Sequence, residues 1–178
     1  MEVRSLNGSD ALPYQKLRLF GLRESPTAFG ASFEEASQLP LEEQARRLSI
    51  PAGSGTVVGI FEENELVAVG GLKRFEGRKE IHKAWIWGMY VHPDFRRKGF
   101  GKAVMKRLLS AAAAMESLGL VRISVESTNV AARNLYASFG FESFGTEPKA
   151  LCVDGRFFSE DHLFLDLSAV KNRPGSAR

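Results

Sequence analysis

Apolar and polar residues follow two different periods along this chain. Alternating or continuous apolar runs, rich in β-branched and aromatic residues, predict seven strands, at residues 2–6, 56–61, 66–72, 82–92, 120–125, 141–150 and 157–167. Apolar residues at helical spacing predict four helices, at residues 11–23, 41–50, 99–118 and 130–139. Residues 24–40 contain Gly30 and two prolines, and they predict a loop.

The order of these elements predicts the class of fold. Helices and strands interleave, so we expect an α/β sheet with helices on its faces. The consecutive strands at 56–72 and at 141–167 have short connections and must pair antiparallel, which makes the sheet mixed and mostly antiparallel. No repeat or linker divides the chain. We therefore expect one domain over residues 1–170, followed by a disordered basic tail at 171–178.

Charge limits the partners that we expect. The formal net charge is +3, from 24 basic and 21 acidic residues. The last eight residues hold three of the basic side chains and no acid, so the remainder is balanced at 21 of each sign. The positive charge is a property of the tail and of one local cluster, and we expect no nucleic-acid partner.

The chain also lacks the features of a membrane or exported protein. No apolar run approaches the roughly 18–20 residues that span a bilayer. The first ten residues, MEVRSLNGSD, contain no basic-then-apolar signal. Cys152 is the single cysteine, so no internal disulfide is possible, and we interpret it as a small core residue. A lone thiol is typical of the reducing cytoplasm, so we expect a cytoplasmic protein. No membrane partner is expected.

One segment has the chemistry of an anion site. It runs Met89-Tyr-Val-His-Pro-Asp-Phe-Arg-Arg-Lys-Gly-Phe-Gly-Lys102, where a strand ends and a long helix begins. The free N–H groups and the dipole of a helix N-terminus attract anions, and Gly99 and Gly101 allow close approach to the backbone. With its basic side chains, the segment predicts a cradle for a pyrophosphate.

Three phosphate-binding motifs compete for this segment. A Walker A loop requires a glycine at the position of Arg96 and Ser or Thr at the position of Ala103. The dinucleotide fingerprint requires a third glycine where the chain has Val104, and it belongs to a first βαβ unit. The pattern Arg-x-x-Gly-x-Gly matches residues 96–101 in full. A basic helix start with flexible glycines is the plain structural alternative.

A second pattern lies further along the chain. Asn129-Val-Ala-Ala-Arg-Asn-Leu-Tyr-Ala-Ser-Phe-Gly-Phe141 matches Asn-x-x-Ala-x-x-Leu-Tyr-x-x-x-Gly-Phe. The two patterns, in this order and with a helix between them, resemble the signatures of the GNAT superfamily of acetyl-CoA-dependent N-acetyltransferases. The order of elements resembles that fold over nearly the whole chain. The resemblance implies a sheet of about seven strands, flanked by about four helices and splayed at its long central strand.

The resemblance also implies how a cofactor is held. Acetyl-CoA is the implied co-substrate, with backbone groups beside a bulge at Gly88 holding its acetyl end. The implied cofactor-binding residues are Met89, Tyr90, Val91, Arg96, Arg97, Lys98, Gly99, Phe100, Gly101, Lys102, Asn129, Asn134 and Tyr136. Two of these roles have alternatives, since Asn129 could serve only as a helix cap and Tyr136 could be a half-buried aromatic. No metal is expected, because the three histidines and one cysteine have no ligand spacing.

Catalysis requires an acid and a route for the amine proton. The resemblance implies that the Tyr136 hydroxyl protonates the departing CoA thiolate. Only an uncharged amine attacks a thioester, so a base is also expected. Family members that acetylate protein N-termini often carry a glutamate where this chain has Ser124. His82 is one predicted proton relay, and Glu126 is a second. A chain of water molecules without a dedicated base is a third possibility. His92 is interpreted as a structural residue.

The acceptor is predicted only as a class. A small-molecule or peptide amine is expected, contacted by residues 20–40 and by the hairpin near 150–162, where His162 could line the acceptor side. The candidates in the first segment are Phe29, Phe33, Glu34 and Glu35. The two glutamates either attract a cationic acceptor or are surface charges of a helix. Transfer of another acyl group, such as succinyl, and a non-catalytic acetyl-CoA sensor are the alternatives. The implied fold often pairs into homodimers, so a homodimer is a further expectation.

Overall fold

The computed structural model describes residues 1–168. The strands in this range are β1 (Glu2–Ser5), β2 (Gly55–Glu62), β3 (Glu65–Arg74), β4 (Lys83–Val91), β5 (Leu120–Glu126), β6 (Glu142–Val153) and β7 (Arg156–Asp166). The α-helices are α1 (Ala11–Glu24), α2 (Phe33–Ser37), α3 (Leu41–Leu48), α4 (Phe100–Ala114) and α5 (Val130–Ser138). The tail predicted at 171–178 lies outside the described residues.

All the strands join one sheet, in the order β1-β2-β3-β4-β5-β7-β6. Neighbouring strands run antiparallel everywhere except between β4 and β5, which are parallel. The connection between these two strands contains α4, as a parallel pair requires. The predicted mixed, mostly antiparallel α/β sheet is confirmed.

The sheet opens at its centre. β4 and β5 pair only from Lys83 to Trp85, opposite Leu120 to Arg122, and beyond these residues they separate. A bulge accompanies the opening, because Gly71 and Val69 of β3 pair with Trp87 and Tyr90 and leave two residues of β4 opposite one of β3. The bulge falls at Gly88, whose φ of 61° is a conformation that glycine adopts at least cost. The predicted splay is confirmed, and a gap divides the sheet.

Helices cover both faces of the sheet. On one face, α4 buries Val104, Met105 and Leu108 completely, and α5 packs beside it. On the other face, α1 and α3 bury a second cluster that includes Leu17 and Leu48. Burial of each such side chain contributes on the order of 2 kcal/mol, so each face of the sheet is held by its own apolar layer.

The structure corrects three predictions from the sequence. The predicted loop at 24–40 contains α2, which is only five residues long and gives too little periodicity to detect. The predicted helix at 99–118 ends at Ala114. Cys152 is exposed rather than in the core, because it lies on β6, the outermost strand of the sheet. Within residues 1–168, no helix is long and apolar enough to cross a membrane.

Candidate active site

A cleft of about 800 Å³ lies where the end of β4 meets the starts of α4 and α5, and we call it the α4–α5 cleft. Its walls come from both sequence patterns and from the loop after α1. The lining residues are Ser25, Ala28, Met89, Tyr90, Val91, Phe95, Arg96, Arg97, Gly99, Phe100, Gly101, Lys102, Asn129, Ala131, Ala132, Leu135 and Tyr136. The structure therefore brings most of the predicted cofactor-binding residues together.

The N-terminus of α4 forms one end of this cleft. Gly99 occupies the cap position without a side-chain cap, and the first intrahelical bond runs from Ala103 N to Gly99 O at 3.0 Å. The N–H groups of residues 100–102 consequently have no helical carbonyl to bind. Arg97 and Gly99, with φ of 59° and 86°, turn the preceding loop. This end of the cleft suits an anion, because unpaired N–H groups and the helix dipole both favour negative charge.

Glycine at position 101 keeps the cleft open. A Cβ at Gly101 would stand 3.3 Å from Leu135 Cδ2 and 3.8 Å from Val91 Cγ2, which belong to the opposite walls. Any side chain there would occupy the space between β4 and α5.

The predicted basic residues are used in different ways. Arg97 and Lys102 line the cleft, whereas Lys98 packs 4.9 Å from the ring of Phe95 and is not among the lining residues. Arg96 lines the cleft but is held by Glu24 of α1, with Nη1–Oε1 and Nη2–Oε2 distances of 3.1 and 2.6 Å. The guanidinium of Arg96 lowers the pKa of the Glu24 carboxyl. Sequence reasoning did not identify Glu24, which stands 72 positions before its partner.

The backbone of β4 turns some of its polar groups toward the gap. His92 N donates to Val67 O at 2.9 Å, so His92 faces β3. Successive residues of a regular strand face opposite edges, which turns the N–H of Tyr90 to β3 and places that of Val91 on the side that β5 has left. The Arg96 Nε donates to Val91 O at 3.1 Å from that same open side. Met89 belongs to the bulge, where this alternation is interrupted, so the alternation places one of the three predicted backbone contacts at the opening.

Tyr136 forms part of the cleft wall on α5. It is 5% exposed and packs against Phe141, and within the described part of the chain its hydroxyl has no hydrogen-bond partner. Burial raises the pKa of the Tyr136 hydroxyl well above the ordinary tyrosine value. Because desolvation disfavours the phenolate, the side chain is a protonated donor at neutral pH.

The two signature asparagines differ in position. Asn129 caps α5 by accepting from Ala132 N at 3.1 Å, and it also lines the α4–α5 cleft. Capping therefore does not remove it from the site. Asn134 is exposed on α5 and is not among the residues that line the cleft.

A second cleft, of about 730 Å³, lies on the other side of the gap, and we call it the α1–β7 cleft. Five aromatic side chains line it, namely Phe29, Phe75, Trp85, Trp87 and Phe144. Its charged and polar side chains are Arg18, Glu35, Arg122, Ser124, Glu160 and His162. Ala28 borders both clefts, which meet at the splay of the sheet. Of the predicted acceptor residues, Phe29 and Glu35 lie here, whereas Phe33 and Glu34 line a neighbouring depression beside residues 151–154.

Three polar side chains form a connected array in this second cleft and beside it. Ser124 of β5 pairs in register with His162 of β7, and their Oγ and Nδ1 atoms are 2.8 Å apart. His162 Nε2 is 3.2 Å from Glu147 Oε2 on β6. Burial raises the pKa of Glu160, which lies on the same strand as His162. The cleft thus contains groups that can accept a proton and pass it on.

The other predicted proton carriers lie elsewhere. His82 precedes β4, accepts from Gly119 N and Leu120 N through its backbone, and lines neither cleft. At about 3.3 Å per strand residue it is about 20 Å along β4 from Gly88. Glu126 is buried and accepts from Thr128 N and Oγ1 at 3.0 and 2.7 Å, so its carboxylate closes a turn. His92 stacks on Phe20 with ring centroids 4.6 Å apart, a structural contact.

Comparison with known proteins identifies the family. The model of the acetyltransferase (GNAT) family matches residues 21–141. A probable spermine N(1)-acetyltransferase of Bacillus subtilis subsp. natto is 28% identical over 91 residues, which are 49% of this chain and 60% of the relative. The L-amino acid N-acyltransferase MnaT of Escherichia coli is 29% identical over 118 residues, 64% of this chain and 66% of the relative. The chain thus spans less than two thirds of the length of either curated relative.

The solved structures agree in fold. A phosphinothricin acetyltransferase from Sinorhizobium meliloti, determined in complex with AcCoA, superposes with a TM-score of 0.79 at 17% identity. The superposition covers 93% of this chain and 87% of that protein. Since the matched family segment is more than half of the chain and contains both signature patterns, the protein belongs to the GNAT family of acetyltransferases.

Proposed function

We propose that the protein is an N-acetyltransferase that moves the acetyl group of acetyl-CoA to a primary amine. One observation carries the proposal: a buried, protonated tyrosine and an uncapped helix N-terminus line the same cleft. Thioester aminolysis needs a proton for the departing sulfur, and CoA needs a site for its pyrophosphate. Relatives named as N-acetyl- and N-acyltransferases, and a fold neighbour in complex with AcCoA, agree with this proposal.

The residues of the α4–α5 cleft fit the parts of CoA. Gly101 leaves space at the helix start that a Cβ would fill, and the N–H groups of residues 100–102 would hold the pyrophosphate, with Arg97 and Lys102 adding charge. The N–H of Val91 would hold the acyl end of the cofactor along the open edge of β4. Bound acetyl-CoA would supply an activated acyl group as its thioester.

Tyr136 would then serve as the general acid. Its hydroxyl has no partner in the described protein, so donation to a sulfur in the cleft breaks no existing hydrogen bond. Its raised pKa keeps the hydroxyl protonated at neutral pH, so a proton is present in the cleft when the thiolate develops.

The amine proton would leave on the opposite side of the gap. Ser124 and His162 form a path from the α1–β7 cleft, since Ser124 Oγ can accept a proton as it donates its own to His162 Nδ1. Glu147, 3.2 Å from Nε2, would stabilise the resulting imidazolium. The geometry supports His162 for this role over His82, which lines neither cleft.

Calorimetric titration with acetyl-CoA, CoA and succinyl-CoA tests the donor. We expect micromolar binding that favours acetyl-CoA. Gly101→Val should weaken it by at least about tenfold, because a side chain would occupy the cleft. Gly145→Val is the matched control, since a Cβ there meets nothing within 4 Å, and it should bind normally.

Other results of the titration and of a turnover assay would favour a different function. Equal or tighter binding of succinyl-CoA favours a different acyl group. Binding of acetyl-CoA with no thiol release across a broad panel of amines favours a sensor. No binding of any of the three compounds would refute the proposed function.

A further inference from the structure

Three buried side-chain donors in the described part of the chain lack hydrogen-bond partners. They are Arg18 Nη1, Trp87 Nε1 and Arg122 Nε. All three side chains line the α1–β7 cleft. Proteins pair nearly all of their buried polar groups, and each unpaired one costs free energy. The three atoms are covered by protein, but no other N–H of the two guanidinium groups has a partner in the described residues either. Both arginines therefore bring unused donors to the wall of one cavity, and this indicates a ligand that carries hydrogen-bond acceptors.

The two arginines also lack a counter-charge at short range. Within residues 1–168, neither has a carboxylate within ion-pair distance, although the cleft contains Glu35 and Glu160. Instead, Arg18 lies 4.9 Å from the ring of Phe29, and Arg122 lies 5.3 Å from that of Phe144. Other arginines of the protein do form such pairs, as in Arg4–Asp10, Arg96–Glu24 and Arg133–Asp161. The cleft therefore holds guanidinium groups that are free to bind an anion.

The position of Arg18 limits where this anion can sit in the acceptor. Arg18 Nη1 is 3.5 Å from the point that a Cβ on Gly88 would occupy, so the guanidinium lies against the bulge of β4. The two clefts meet at this opening, and an amine must reach the thioester there. An anion bound by Arg18 is consequently close to the reacting nitrogen. In an α-amino acid, the carboxylate and the amine are bonded to the same carbon.

We propose that the acceptor is an α-amino acid with a free carboxylate, bound by Arg18, whose apolar side chain packs on the aromatic wall of Trp85 and Phe144. This proposal rests on the proposed function. In the reaction, the N–C bond to the acetyl carbon forms as the C–S bond breaks. The thiolate takes its proton from Tyr136, and the amine proton passes through Ser124 to His162.

The unpaired arginine donors disfavour a polyamine. A ligand such as spermine carries only positive charge at neutral pH. It would find the carboxyl groups of Glu35 and Glu160 in the cleft, but it would offer no acceptor to Arg18 and Arg122. A peptide N-terminus has a neutral carbonyl in place of the carboxylate next to its amine, so it would leave Arg18 without a counter-charge. These two acceptor classes are the competing outcomes of the test.

The experiment compares each L-amino acid with its carboxamide. Thiol release is measured at saturating acetyl-CoA for the twenty acids, their amides and spermine. We expect the preferred amino acid to exceed its amide by at least about tenfold in kcat/KM, as loss of one charged hydrogen bond predicts. Arg18→Gln should remove this preference by lowering the rate for the acid while the rate for the amide changes little.

A matched variant and a binding control make the result decisive. Arg23→Gln changes an exposed arginine on the same helix and should keep the preference for the carboxylate. Unchanged acetyl-CoA affinity shows that Arg18→Gln is folded. Equal rates for acid and amide, faster turnover of spermine, or no turnover of any amino acid by protein that binds acetyl-CoA would each overturn the amino-acid acceptor alone. Failure to bind acetyl-CoA would refute the proposed function itself.

Discussion

At the scale of single residues, burial keeps the Tyr136 hydroxyl protonated. The ring is enclosed by the core of α4 and α5, and the hydroxyl is at the wall of a cleft without a partner in the described protein. Desolvation acts against the charged form of any acid, and for tyrosine the charged form is the phenolate. The pKa therefore rises, and the hydroxyl stays protonated throughout the neutral range.

Tyr136→Phe tests this role. Removal of the hydroxyl should lower kcat by about 100-fold, the scale of general-acid catalysis. The affinity for acetyl-CoA should stay within about threefold, because the ring still fills the wall. Tyr14→Phe is the control, since Tyr14 is equally buried but belongs to the α1–α3 layer. Full turnover by the Tyr136 variant would show that another group protonates the sulfur.

Residue identity alone could not show how Arg96 is used. The signature pattern predicted a contact with pyrophosphate, but the structure pairs Arg96 with Glu24 and with Val91 O. Glu24 comes from α1, far along the chain, and no local pattern marks it. Tyr90 also donates to Glu24, at 3.0 Å, so this one carboxylate joins α1 to β4 and to the loop before α4.

At the scale of elements, strand register determines which polar side chains meet. β5 pairs with β7 along its full length, from Leu120–Asp166 to Glu126–Glu160, which sets Ser124 opposite His162. β6 adds Glu147 from the far side of the hairpin. The sequence predicted the strands, but a shift of one residue in register would have placed these side chains on opposite faces.

His162→Gln tests the proton path. Because only the free amine reacts, kcat/KM should fall by about tenfold or more near pH 7. The deficit should shrink as the pH rises, since a larger fraction of the acceptor is then already deprotonated. His82→Gln is the matched control at the far end of β4 and should retain the normal pH profile. A loss of activity in the His82 variant with normal activity in the His162 variant would reverse the assignment.

At the scale of the whole molecule, ion pairs fasten the first strand to the helical layer. Arg4 of β1 binds both oxygens of Asp10, at 2.8 and 2.7 Å, and Asn7 N donates to the same carboxylate at 2.9 Å. The hydrogen bond from Arg4 is the main cause that lowers the pKa of Asp10. Asp10 is 5% exposed, so its charge depends on these partners.

Asp10→Asn should reduce the free energy of unfolding by about 1–3 kcal/mol at pH 7, the range for hydrogen bonds to a charged group. The pKa of the Asp10 carboxyl is lower in the folded protein than in the unfolded chain, so its charge stabilises the fold at pH values above the unfolded pKa. This stabilisation is lost as the pH falls through the folded pKa. The difference from wild type should therefore shrink below about pH 4. Urea titrations at several pH values measure it. Asp94→Asn is the control: the Asp94 side chain is 80% exposed, so this variant should change the free energy of unfolding little. A stability difference between Asp10→Asn and wild type that stays constant at all pH values would contradict the role of the Asp10 charge.

The two halves of the candidate site were unequally predictable. The α4–α5 cleft is built largely from one continuous stretch, residues 89–136, in which short motifs carry recognisable chemistry. The α1–β7 cleft combines residues 18–35 with residues 75–88 and 122–163, and its arginines resemble any surface arginine until the fold brings them together. From the sequence we therefore named most of the residues that line the α4–α5 cleft, but only a few that line the α1–β7 cleft, among them Phe29, Glu35 and His162.

The gap between β4 and β5 also has a kinetic consequence. The two clefts lie on opposite sides of this gap and share Ala28 at the splay. Under the proposed function, the two substrates would enter from different sides and occupy the protein together. Transfer would then proceed in a ternary complex, with no acyl group stored on the protein between half-reactions.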